Sequence, residues 1–182
     1  MRMLLSTVVL ATLSSLLIGQ DQQSTAPIPD TRAFREPFTL KLRVDKDRYY
    51  EEHYDKRIPY VSEDDVYLFS GENFGVNLSF KGDDVAKVVY QPDSNRADLW
   101  FIFSQPKELA PAGMMLIIQN KLKRELRMDA LVTIPGKEGI YKTSIVPIGA
   151  GLSDYESWPH PIVQLVLRNF RVSDKDAGKP KN

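Results

Sequence analysis

The chain of 182 residues contains no cysteine. Disulfides, thiolate metal sites and cysteine nucleophiles are therefore excluded. Only two histidines occur, His53 and His160, so a multi-histidine metal cage is excluded as well. An excess of charge of one sign is also lacking: 24 Lys and Arg balance 24 Asp and Glu. No global field draws such a chain toward nucleic acid, and no nucleic-acid partner is expected. There is no Gly-x-Ser-x-Gly nucleophile elbow. No internal repeat of roughly 20–50 residues is visible.

What is present is 42% hydrophobic and 26% charged residues. That balance supports a packed core and argues against global disorder. A chain of this length forms one ordinary domain or two very small ones.

The long uncharged run lies at the N-terminus. Arg2 precedes residues 3–18, which are rich in Leu, Val and Ala, and Gly19 is followed by a polar stretch. This is the pattern of a secretory signal peptide over residues 1–19. The run is about 16 residues, short of the roughly 20 that a membrane-spanning helix needs. Retention as an N-terminal anchor is the alternative to cleavage. No transmembrane segment is expected after removal, and the expected location is periplasmic or secreted. Residues 20–37, with Pro27, Pro29 and Pro37 among polar neighbours, read as a flexible N-terminal segment, either a mobile tether or an extended edge segment. Residues 173–182 lack any large apolar group and read as a disordered tail.

Between them, residues 38–172 read as strands. Phe38, Leu40, Leu42 and Val44 alternate with Thr39, Lys41 and Arg43. The same period of two links Phe74, Val76, Leu78 and Phe80, and again Leu126, Met128, Ala130, Val132 and Ile134. A helix would scatter these side chains around its circumference, whereas a strand puts each set on one face. Apolar runs at 85–90, 99–103, 114–118 and 162–167 suit strands covered on both faces or half-buried strands with an apolar outer row, although Met and Leu in 114–118 also favour helix. In the last region the phase slips between Leu167 and Phe170, which predicts a bulge near Arg168-Asn169. Short turn clusters at 81–84, 92–95 and 135–139 favour antiparallel neighbours. Asn120-Lys121 is a candidate two-residue hairpin, and 107–110 a candidate helical turn. About nine strands with almost no helix predict an all-β, antiparallel two-layer β-sandwich, immunoglobulin-like in the broad sense. A small β-barrel is the competing architecture.

Two segments stand out as candidate sites. Residues 45–57 are nine-thirteenths charged, and five of the chain's eight tyrosines fall between Tyr49 and Tyr67. Such a charge run is ordinarily a solvated loop. Tyrosine supplies broad contact area and a hydroxyl at low entropic cost, so Tyr49, Tyr50 and Tyr54 are candidate contacts for a protein or glycan. Glu51, Glu52, His53 and Asp55 are adjacent rather than spaced as metal ligands, and Arg48, Lys56 and Arg57 offer them salt bridges. No metal and no cofactor are expected.

The second segment, 149–161, reads as a long connection with Tyr155, Trp158 and His160 as candidate contacts. Its structural reading is a tryptophan plug closing one end of the sandwich, with His160 bonded to backbone. Its catalytic reading pairs Ser153 or Ser157 with His160 and Asp154 or Glu156, which demands contacts that adjacency does not supply. The resulting expectation is an exported, non-catalytic module that binds or braces an extracytoplasmic macromolecule through Tyr-rich and Trp-containing loops. A small hydrolase or carbohydrate-active protein using the 153–160 loop is the alternative.

Overall fold

A computed structural model describes residues 33–107 and 112–173. The signal segment, residues 20–32, the tail beyond Ser173 and most of the candidate helical turn at 107–110 lie outside the described residues.

Strands follow in chain order as β1 (Phe34–Arg35), β2 (Phe38–Arg43), β3 (Tyr49–Tyr54), β4 (Ile58–Pro59), β5 (Val61–Ser62), β6 (Asp65–Leu68) and β7 (Glu72–Lys81). Then come β8 (Asp84–Gln91), β9 (Leu99–Ser104), β10 (Met114–Asn120), β11 (Glu125–Thr133), β12 (Tyr141–Thr143), β13 (Ser153–Trp158) and β14 (Gln164–Ser173). One sheet has the order β13-β10-β9-β7-β8, the other β12-β11-β14-β6-β5, and every pairing is antiparallel. The two sheets pack face to face as a sandwich, and no barrel closes. Two small ladders, β1 with β4 and β2 with β3, complete the described strands.

The alternation seen in the sequence sets what faces inward. Phe74, Val76 and Leu78 of β7 and Phe101 and Phe103 of β9 are buried from one sheet. Leu126, Met128, Ala130 and Val132 of β11 and Leu165 and Leu167 of β14 are buried from the other. Each large side chain so buried contributes about 1.5–3 kcal/mol. Leu40 and Leu42 join the same core from β2.

The predicted bulge is present. Arg127 faces Arg171 and Asp129 faces Arg168, so one residue on β11 opposes two on β14. Asn169 takes up the extra residue with φ of 53°, a left-handed conformation that asparagine tolerates.

Three expectations are corrected. Residues 49–54 are a strand, not part of a loop. The supposed connection at 149–161 contains β13, an edge strand bonded to β10. Both segments carry few aliphatic residues, so tyrosine and tryptophan take the apolar positions. Asn120-Lys121 is no hairpin: β10 and β11 belong to different sheets. Asn120, 1% exposed, is the pivot of that crossing, its Nδ2 donating to the carbonyls of Arg124, Ile148 and Gly149 at 2.8, 3.1 and 3.0 Å. At the end of residues 20–37, Phe34–Arg35 pairs with Ile58–Pro59 as a short extended ladder.

Candidate functional site

The β2–β3 hairpin positions the tyrosine cluster. Its turn uses the charge run locally: Asp45 Oδ1 accepts from the backbone N–H groups of Asp47 and Arg48 at 3.1 and 2.9 Å, and its carboxylate pairs with the Arg48 side chain. That side-chain bond holds the Asp45 carboxyl below the usual carboxylate range. The hairpin therefore forms on a side-chain-mediated turn, without glycine.

Along β3 the side chains alternate. Tyr49, Glu51 and His53 are exposed, while Tyr50, Glu52 and Tyr54 are half-buried against the domain. The outward set pairs across the hairpin: Lys41 with Glu51 at 3.5 Å, and Thr39 Oγ1 with His53 Nδ1 at 2.7 Å. His53 Nε2 lies 3.1 Å from Asp55. The inward set makes a different surface. Tyr54 stacks on Phe38 at 4.9 Å and meets Phe69 edge-on at 5.2 Å, which fixes its ring. The Tyr50 hydroxyl donates to Glu52 Oε2. Burial, and then the adjacent Glu52 carboxylate, push the Tyr50 hydroxyl up to about 12 and raise that of Tyr54 as well.

Across from these three residues lies the turn that follows β11, with the start of β14. Together they bound an open cleft of about 530 Å3, whose far wall includes Thr133, Lys137 and Gln164. A ligand entering it meets two phenol rings, the carboxylates of Glu52 and Glu138 and the ammonium of Lys137.

The other predicted residues lie elsewhere. Tyr155 projects from β13 and is 67% exposed. Trp158 is buried at the end of that strand, its Nε1 donating to Thr143 Oγ1 at 2.9 Å and its ring edge-on to Phe103. His160 Nδ1 lies 3.2 Å from the Pro161 carbonyl. No hydrogen bond joins His160 to Ser153, Ser157, Asp154 or Glu156, and Glu156 Oε1 instead accepts from the Val146 N–H at 3.0 Å. Among the described residues no group of three or more His, Asp or Glu side chains converges as a metal site would require.

The structure thus brings Tyr50 and Tyr54 together, turns Tyr49 to the opposite face, and places Tyr155, Trp158 and His160 in and after β13. Glu52, Thr133, Lys137, Glu138 and Gln164 supply the other polar side chains of the cleft. Glu52 was visible in the period-two pattern Tyr-x-Glu-x-Tyr, but the far wall depends on contacts remote in sequence. No protein-family model, curated protein or solved structure matches the chain.

Proposed function

We propose that the domain is an exported, non-catalytic binding module that holds a glycan or protein partner in the Tyr50–Glu52–Tyr54 cleft. The observation that carries this reading is the convergence of two half-buried tyrosines on one carboxylate in an open cleft. Concave sites with aromatic walls and a few fixed polar groups are the usual form of a ligand pocket. Tyr54 is held rigid by Phe38 and Phe69, so little conformational freedom is lost when a ligand covers it. Export is supported by the uncharged run at residues 3–18 behind Arg2.

The test is an oligosaccharide array probed with the purified protein, alongside affinity capture of protein partners from the native envelope or secretome. Each bound partner is then titrated against Glu52→Gln and Tyr50→Phe. Both variants keep the side-chain shape, so the fold is retained. The expected result is a loss of about tenfold or more in affinity, equivalent to 1.4 kcal/mol. Unchanged affinity in both variants would remove the cleft as the binding site.

A further inference from the structure

The cleft continues into a row of outward side chains on the second sheet. Thr133 and Gln164, directly opposed on β11 and β14, line the cleft. Two residues along each strand come Leu131 and Val166, then Asp129 and Arg168, and past the bulge Arg127 and Arg171. These positions share the solvent face, since Met128, Ala130 and Val132 between them are buried. Lys142 of β12 pairs in register with Leu131. Between Thr133 and Arg127 the row covers about 20 Å, at roughly 3.3 Å per residue. It runs from tyrosines and the carboxylates of Glu52 and Glu138 at one end to four cations and Asp129 at the other.

Two features of the cationic end do not serve the stability of the sheet. Arg127 and Arg171 are directly opposed, and like charges so placed repel. Glu125 accepts from Arg127 at 2.8 Å and Asp129 from Arg171 at 2.6 Å, which offsets that repulsion. Arg168 Nε is buried without a hydrogen bond, its nearest carboxylate being Asp65 at 3.5 Å.

The second feature is a break in the ladder. β12 pairs with β11 as far as Ala130 with Thr143, and pairing resumes only at the bridge of Leu126 with Ile148. Residues 144–147 therefore face only residues 127–129, and no backbone hydrogen bond joins the two stretches. The Val146 N–H turns instead to Glu156 of the other sheet. What remains is an opening of about 700 Å3 beside Met128, whose charged rim is four cations, Arg127, Lys142, Arg168 and Arg171, and one carboxylate, Asp129. Leu126 bonds toward the 144–148 side through both its N–H and C=O. Strand alternation directs the Met128 N–H and C=O the same way, into the opening.

We infer that this row binds an acidic polysaccharide lying along β11. Its uronate or sulfate groups are held by Arg127, Lys142, Arg168 and Arg171, and a sugar ring sits over Tyr50 and Tyr54. The inference rests on the binding role proposed for the cleft and names the ligand class. Four cations drawn from β11, β12 and β14 around one opening match several anionic groups of one chain, and a single small ion would leave the cleft end of the row empty. Single-stranded nucleic acid would need aromatic platforms for its bases, and the described residues lining the cationic opening include no aromatic ring.

The experiment titrates the full chain with a heparin hexasaccharide, a polygalacturonate oligomer, a neutral dextran oligomer and a single-stranded oligonucleotide. At least one acidic oligosaccharide is expected to bind about tenfold or more tighter than dextran, with affinity falling as salt rises. Lys142→Gln and Arg171→Gln should each remove most of that advantage, with Lys81→Gln, exposed at the end of β7 in the other sheet, as the neutral control. The identity of the tighter acidic probe separates sulfate from uronate. Three results would overturn the inference: no preference for either acidic probe over dextran, tighter binding of the oligonucleotide, or an acidic preference unaffected by both variants. Glu52→Gln keeps the two readings apart, because dextran binding lost in that variant, with no acidic probe preferred over dextran by the parent, would sustain the cleft and sink the polyanion row.

Discussion

Arg35 and Glu72 form a two-point ion pair inside the domain. Arg35 Nε and Nη2 donate to the two carboxylate oxygens of Glu72, the second bond at 2.7 Å. The remaining groups are also engaged. Arg35 donates to the carbonyls of Pro59 and Tyr67, and Glu72 Oε2 accepts from the Phe69 N–H at 2.8 Å. The guanidinium carbon lies 4.0 Å from the centre of the Tyr60 ring. With Arg35 only 5% exposed, removing either partner leaves a buried charge unpaired. Arg35→Ala or Glu72→Ala is expected to cost about 3–5 kcal/mol. The double variant should cost well under the sum, because no lone charge then remains. Chemical denaturation of the four proteins in the cycle checks this. Single losses below about 1 kcal/mol would reduce the pair to the worth of an exposed one.

The same pair marks where sequence reading reaches its limit. The alternations at Phe38, Phe74 and Leu126 are local, with a period fixed by the strand itself, so those strands and the sandwich were legible. The phase slip at Phe170 exposed the bulge for the same reason. Residues 49–54 and 153–158 also alternate, yet their inward positions are filled by tyrosine, acid and tryptophan rather than aliphatic residues, and the charge around them reads as loop. Arg35 offers no periodic signal at all: its partner is 37 positions away. The tyrosine half of the cleft could be named from composition. Its far wall and the cationic row arise from register between β11, β12 and β14, which one strand's sequence does not contain.

Glu63 and Asp64 form the two-residue turn between β5 and β6, with φ of 52° and 63°. Both are in the left-handed region, where asparagine or glycine is preferred in such hairpins. Asp64 has a compensating role, its Oδ1 accepting from the Val88 N–H at 2.8 Å. Glu63 lies at the exposed tip. Glu63→Asn is therefore expected to stabilise the domain by about 0.5–1 kcal/mol, by relief of left-handed strain. Asp64→Gly relieves strain too but deprives Val88 of its acceptor, so no net gain is expected. Thermal melts of the two variants separate the effects, and equal gains would show that the Val88 bond contributes nothing.

Gly75 lies where β7 passes under Trp100. A methyl group there would meet the Ala97 Cβ and the Leu99 carbonyl oxygen at 2.5 Å and Trp100 Cε3 at 2.7 Å. The carbonyl belongs to the neighbouring strand and cannot swing aside as a flexible side chain would. Gly75→Ala is expected to destabilise by about 1–3 kcal/mol or more, the range of an overpacked core. Accompanying loss of near-ultraviolet tryptophan signal would place the disturbance at Trp100. A variant as stable as the parent would show that β7 and β9 separate easily at this point.

Tyr50 and Glu52 offer a reading of the cleft that needs no ligand. The Tyr50 hydroxyl ionises at about 12 rather than at the usual 10, first because of burial and then because Glu52 accepts its proton in a hydrogen bond and repels the phenolate. Its folded value is raised, so the folded state holds the proton more tightly than the unfolded chain does. The resulting stability is fully present below pH 10 and is lost as pH climbs from 10 toward about 12. The Tyr54 hydroxyl shifts in the same direction, again with burial as the first cause. Ultraviolet titration of tyrosinate should therefore show a late-ionising fraction, coincident with falling thermal stability. Glu52→Gln should move the Tyr50 midpoint down without restoring it fully, since burial persists, and should leave a shallower loss of stability in that window. Tyr50→Phe should delete its part of the late fraction. If all the tyrosines of the folded protein ionised together at the ordinary value, the close approach of Tyr50 and Tyr54 to the Glu52 carboxylate would not exist in solution, and the cleft would lose the feature on which its binding role rests.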